Sequence, residues 1–311
     1  MTLKYACIAK SLAIILLLLA TPTTAQDKNV GAIVEGQVVK LLEQGIAPRQ
    51  TLRIAPAMGM KQSAIMRMKV DQTMVMRGQK LPPTPTPATQ FTIEVDITDI
   101  AANGDVSVEY RCPKVEVIDE SNEPSPVKPM METLLKSMKG LTGTATVSNR
   151  GFTKKSNVTL PPNAEPNIQA ARDIMKAWMN LMSSPLPEEP VGVGAKWKVI
   201  QLIESNGMNV KQTTVHTLKE IKGKAIEIAI EQAQTADAQE LKTPGVPTGT
   251  TTKLLSLDST GAGKMQFISS DLFPFSSMKS DSKIGMEMIA AGNTIPMQVE
   301  MSGEVTVTPA K

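Results

Sequence analysis

The sequence predicts an α+β fold that is mostly antiparallel β: a curved, meandering sheet or sheets, packed with two amphipathic helices. Three observations carry this. Apolar and polar residues alternate at period two through much of the chain. Gly- and Asn-containing turn signals recur between short alternating runs. Only two segments carry an apolar stripe at helical spacing.

The first element, residues 1–25, reads as an export signal. Lys4 and Lys10 form a positive start, and Ser11 to Ala20 (SLAIILLLLA) is an apolar run of ten residues. Thr23-Thr24-Ala25 then offers small residues for cleavage after Ala25. The run is too short to span a bilayer as a helix, which takes about 20 residues. The expected mature chain therefore starts at Gln26, has no transmembrane span, and is exported to the periplasm or beyond. Cleavage also removes Cys7, leaving Cys112 as the single cysteine. An intramolecular disulfide is then excluded, and Cys112 reads as a small buried hydrophobe in a strand.

Strands follow in the N-terminal half, residues 26–165. In Ala64 to Met76, Ala64, Met66, Met68, Val70, Met74 and Met76 share one face, while Arg67, Lys69, Asp71 and Thr73 take the other. Pro82, Pro83, Pro85 and Pro87 make an extended loop. Phe91, Ile93, Val95 and Ile97 alternate up to an Asn103-Gly104 hairpin turn, and Val106, Val108, Tyr110 and Cys112 return from it. Further turns are expected at Asn149-Arg150-Gly151, Asn206-Gly207, Lys222-Gly223, Thr260-Gly261, Gly292-Asn293 and Ser302-Gly303.

The two helices are expected over 129–139 and 166–182. Each has Pro at its first position, and Gly140 follows the first. In the second, Ile168, Ala171, Ile174, Met175, Trp178, Met179 and Met182 form one stripe, which reads as core packing. This second helix opens the C-terminal half, 166–311, which forms either a second unit or one continuous domain with the first. Residues 95–110 resemble 215–230, and 141–160 resemble 251–270. These matches reflect either duplicated halves or the general similarity of hairpins.

Composition narrows the function. There are 33 basic and 30 acidic residues, one His, two Cys and 3% aromatics. A near-zero charge argues against a nucleic-acid partner. One His and two Cys argue against a metal site of the usual ligands, and no nucleophile–base arrangement is legible. The serine-rich 276–283 segment matches S-x-x-K twice without the partner motifs of a penicillin-interacting site. No catalytic residue, cofactor or metal is therefore expected, and the lone His216 reads as structural.

Two stretches carry a family resemblance. One is LLEQGIAPRQTLRIAP (41–56). The other is LPEEPVGVGAKWKV (186–199), with Pro187, Pro190, Gly192, Gly194 and Trp197. Together they resemble a family of uncharacterised exported bacterial proteins, a domain of unknown function of about 300 residues. The resemblance implies a strand-rich exported protein over most of the mature chain and brings no catalytic residue, cofactor or substrate. Physically, the two prolines stiffen the approach to a strand, the glycines permit turns or a bulge, and Trp197 packs into the sheet.

Methionine is the compositional surprise, at 20 residues. Met66, Met68, Met74 and Met76 fall on one strand face, so they form core, line an apolar-ligand surface, or bind Cu(I) through their thioethers. The sequence reading is a non-enzymatic structural or interaction protein of the cell envelope with an envelope protein partner. The alternatives are a carrier for an apolar ligand such as a lipid, and then a Cu(I)-binding protein.

Overall fold

The computed structural model describes residues 37–83, 85–120, 125–136, 138–159, 185–205, 208–241, 250–290 and 292–310. The expected signal peptide, its Ala25 cleavage site, the 166–182 helix and the Asn206-Gly207 turn lie outside the described residues.

Among the described residues, fourteen strands and one helix follow in order: β1 Val38–Glu43, β2 Lys61–Met76, β3 Gln79–Lys80, β4 Ala88–Ile100, β5 Val106–Ile118, α1 Lys128–Lys136, β6 Leu141–Val147, β7 Thr153–Thr159, β8 Lys196–Ser205, β9 Met208–Lys222, β10 Ala225–Ala236, β11 Gln239–Leu241, β12 Thr250–Ile268, β13 Phe275–Ala290 and β14 Asn293–Ala310. They form one open antiparallel sheet of order β1-β8-β9-β10-β12-β13-β14-β2-β4-β5-β6-β7, with β11 beside β12 and β3 beside β2. The chain thus meanders through two arms, which β14 and β2 join by pairing from Met297–Met76 to Ala310–Ser63.

The sheet curls strongly. Ile54 N–H donates to the Asn149 carbonyl in the β6–β7 turn, and Ala55 N–H donates to the Ser269 carbonyl in the β12–β13 turn, each at 2.7 Å. Between those turns the sheet order interposes β14, β2, β4 and β5. A flat sheet would hold the two turns roughly 24 Å apart, at about 4.8 Å per strand. Two consecutive residues, about 3.8 Å apart, reach both only because the sheet bends round.

Burial follows the alternation. At the end crossed by residues 44–60, one apolar cluster joins Met66, Phe91, Ile93, Tyr110, Cys112, Leu141 and Phe273. A second there joins Leu52, Leu186, Trp197, Leu218, Ile228 and Met265. At the opposite end Met74, Met208, Leu254, Ile284, Met286, Met288 and Met297 form a third.

Several expectations change. The first helix is Lys128–Lys136, shorter than 129–139, and is the single helix among the described residues. Its Met131 and Leu135 are buried, and it ends in a turn at Gly140, whose N–H donates to the Cys112 carbonyl. The helix–sheet packing expected of two helices is therefore described for one. No helix among the described residues is long and apolar enough to cross a membrane.

Thr260-Gly261 and Ser302-Gly303 are not turns. They lie inside β12 and β14. The physical reason is close approach: a Cβ on the neighbouring Gly263 would stand 2.3 Å from the Ser277 carbonyl oxygen of β13. These glycines let long strands bend together rather than reverse. The repeat is correspondingly weaker. Residues 95–110 and 215–230 both span hairpins, but 141–160 is a hairpin whereas 251–270 is occupied by one long strand.

Candidate ligand-binding face

The two stretches that carry the family resemblance meet in space. Gln50 and Val191 exchange backbone hydrogen bonds at 2.9 Å, Ile46 N–H donates to Val193 and Gly192 N–H donates to Gln44. Gly192 allows backbone contact, since a Cβ there would lie 1.7 Å from the Ile46 oxygen. Gly194 instead turns, with φ 84°. Arg49 closes the 44–49 turn through the Gly45 carbonyl and Gln44 Oε1. Pro187 is buried and Pro190 exposed. Arg53 donates to the Pro187 and Glu188 carbonyls. Trp197 is fully buried, donates from Nε1 to the Pro185 carbonyl at 2.9 Å, and stacks on His216 with centroids 5.2 Å apart. The motif closes one end of the curled sheet.

His216 is 3% exposed, and burial pulls its pKa down to about 4, so the ring is neutral at pH 7. Cys112 is likewise buried, which pushes its thiol up to about 11. Cys112 is thus a buried strand residue, as the sequence predicts.

The four methionines of β2 share the concave face but not one site. Met66 and Met68 belong to the closed end, Met74 and Met76 to the far end. Val70 and Gln72 lie between them, and Met66 and Met74 are about 26 Å apart along the strand. Met76 instead neighbours Met297 of β14, which neighbours Met286 of β13. The far cluster also holds Met208, Met288 and Met301, so methionine is its commonest residue.

Between the two apolar ends runs a polar belt that the sequence reading missed. Its members are cross-strand neighbours: Gln201 with Gln212, Gln212 with Gln234, Gln234 with Ser259, Ser259 with Ser282, and Ser282 with Met301, which faces Gln72. Gln232, Gly261, Ser280 and Gly303 form the adjacent row. Gln232 and Gln234 both donate to Gln212 Oε1 at 2.7 Å. Gln37 donates to Gln201 Oε1 at 2.6 Å, and Ser282 to Ser259 at 2.7 Å. Gln201 and Ser259 are buried, whereas Gln212, Gln232, Gln234, Ser280 and Ser282 are half-buried.

Among the described residues, no charge shares this stretch of the concave face. In the same registers Lys211, Glu231, Asp258, Lys279, Asp281, Lys283, Glu300, Glu304, Lys69 and Asp71 alternate onto the outer face. The signal was present as Ile226, Ile228, Ile230, Gln232 and Gln234, one strand face that passes from apolar to amide midway.

No curated protein matches the chain. Residues 169–270 match the model of a family of unknown function (DUF6263), a stretch that includes the Trp197 motif and β8 to β12 but not residues 41–56, and to which this part of the chain is therefore similar.

Proposed function

We propose that this is an exported, non-enzymatic binding protein that holds an apolar, lipid-like molecule against the concave face of its sheet. The observation that carries the reading is the middle of that face, which is polar, largely half-buried and uncharged among the described residues, flanked by apolar ends. A purely structural sheet gains most from apolar side chains throughout its concave side. Here amides and hydroxyls occupy the centre, where they keep contact with solvent or a guest. The flexible, polarisable thioethers of the half-buried Met76 and Met301 suit a surface that adapts to a chain-like ligand. Export is supported by the Lys4/Lys10 start, the apolar run and Ala25. A Cu(I) site built from all four β2 methionines is disfavoured by the separation of Met66 from Met74.

Native mass spectrometry of the mature chain incubated with a bacterial lipid extract tests the reading. One retained lipid per chain is the expected result. A chain that emerges without bound lipid from every extract would refute it.

A further inference from the structure

We infer that the convex face of the sheet at its β1 edge docks on an anionic phospholipid membrane. This surface lies on the side of the sheet opposite the concave face, so the inference does not rest on the binding function proposed above. Nine large apolar side chains are exposed among the described residues. Five of them gather on β1, β8 and the turns at their ends: Val38, Leu42, Ile46, Val193 and Leu202. Leu202 is 72% exposed and Val38 57%. Val38 faces Ile200, which shares its strand face with Leu202 two residues on. Ile46 N–H donates to the Val193 carbonyl at 2.9 Å, which sets those two residues side by side. The other edge strand differs. In β7 (TKKSNVT) Val158 is the one apolar residue and Lys154 and Lys155 guard the edge, whereas four of the six residues of β1 (VVKLLE) are apolar.

The charges at this edge differ from those on the rest of the convex face. Across the middle strands one row alternates in sign: Lys69 faces Glu304, and Glu304 faces Lys279 and pairs with it at 3.7 Å. The same row passes Glu231 and ends at the edge in Lys198 and Lys40, directly opposite each other. Like charges so placed destabilise a sheet unless something outside it neutralises them. Neither lysine forms an ion pair among the described residues, nor does Lys211. From Lys196–Thr217 to Leu202–Lys211, the convex side of β1, β8 and β9 carries four lysines against Glu43 alone among the described residues. Glu43 is already paired with Lys196 at 2.8 Å.

That chemistry selects the partner. Val38 and Leu42 stand about 13 Å apart along β1 with Lys40 between them. A protein partner needs a contiguous dry patch at the centre of its interface, which interleaved lysines deny. A second copy would set its own Lys40 and Lys198 against these and be repelled. A bilayer surface accepts both kinds of side chain. Separated apolar side chains enter the acyl boundary while the lysine stems reach up to the phosphates. Each lysine held near an anionic surface adds an attraction that salt screens.

Flotation of the mature chain with vesicles of phosphatidylcholine, alone or with about one-third phosphatidylglycerol, tests this. We expect flotation with the anionic vesicles only, and its loss when salt is raised to about 0.5 M. Lys40→Glu/Lys198→Glu should weaken it at least about tenfold, whereas Lys279→Glu, on the balanced part of the row, should weaken it far less. Should the double variant not fold, a fluorophore decides. Nitrobenzoxadiazole attached at Leu202→Cys should brighten and shift to the blue on anionic vesicles. The same label at Leu255→Cys, exposed on β12, should not, and the buried Cys112 takes no label. Flotation with neither vesicle or equally with both, equal losses in the two charge variants, or equal responses of the two labels would overturn the inference. So would a dimer in solution that Leu202→Ser separates and that excludes vesicles, which would assign the face to a second copy. None of these outcomes bears on the extract experiment, which reads the concave face.

Discussion

Arg150 and Leu186 hold each other through two hydrogen bonds. Leu186 N–H donates to the Arg150 carbonyl at 2.8 Å, and Arg150 Nε donates to the Leu186 carbonyl at 3.0 Å. Arg150 lies in the β6–β7 turn near one edge of the sheet, and Leu186 lies in the chain entering β8 near the other. The pair therefore joins elements far apart in the sheet order and fixes the curl. Its neighbour Arg53 ties the next two carbonyls, Pro187 and Glu188.

Arg150→Ala removes the charged donor and leaves a buried backbone carbonyl short of a partner. Hydrogen bonds to charged groups contribute about 1.5–3 kcal/mol, and that is the expected loss in chemical denaturation. The exposed Arg150–Glu188 ion pair adds little, so Glu188→Gln should be close to neutral. Arg150→Lys should fall between, because an ammonium does not reproduce the guanidinium geometry.

Gly192 and Gly194 separate two reasons for glycine. Gly192→Ala drives a Cβ into the Ile46 backbone and should cost more than about 3 kcal/mol, read as loss of soluble folded protein. Gly194→Ala has open space around its Cβ and only the left-handed backbone to resist it, so a loss of about 1 kcal/mol is expected. Equal thermal shifts for the two variants would contradict this division.

The contrast explains what sequence reasoning reached and what it did not. Alternation over 64–76 placed Met66 and Met74 on the buried face because period two is a local property of strands. The Asn103-Gly104 reversal was legible because a short turn carries its own chemistry. Gly261 and Gly303 misled because a strand glycine answers to a neighbouring strand, here β13 at 3.0 Å from a Cβ on Gly261, which no local window contains. The belt was missed for the same reason. Gln201, Gln212, Gln234 and Ser282 are dispersed in sequence, and each alone reads as surface. Register alone makes them one row.

His216 gives the protein an acid-sensitive window. Its folded pKa of about 4 lies below the ordinary value of 6.5, with burial as the cause. Between those values the unfolded chain binds a proton that the folded chain does not, so stability rises with pH across the window and is flat above it for this group. The contribution lost on going from pH 7 to pH 4 is on the order of 3 kcal/mol. Urea titrations over that range should show the slope, and His216→Phe, which keeps a ring against Trp197, should flatten it. An unchanged slope in the variant would assign the effect to other groups.

Cys112 should be chemically silent in the native state. It is 1% exposed, and burial raises its thiol to about 11. At pH 8 little thiolate forms and no reagent reaches it. Iodoacetamide should leave the folded mass unchanged over hours and add one adduct promptly in denaturant. Rapid native alkylation would show that β5 and α1 open together.

The methionines of β2 yield the most discriminating experiment, because the structure divides them. Leu and Met are close in volume, and such swaps usually cost less than about 1.5 kcal/mol each, so replacing Met66, Met68, Met74 and Met76 by Leu should leave the fold intact. The two pairs should nevertheless differ. Met66 is fully buried beside Phe91 and Val307, where Leu fills the same space and only stability can change. Met74 is buried in the far cluster and Met76 beside it is half-buried, where a thioether's extra rotatable bond lets the surface follow chains of different shape. Met74→Leu/Met76→Leu should therefore narrow the range of acyl chains retained in native mass spectrometry, while Met66→Leu/Met68→Leu leaves that range as it was. If instead all four thioethers served Cu(I), the quadruple variant would lose stoichiometric Cu(I) binding at unchanged thermal stability, an outcome the separation of Met66 from Met74 argues against.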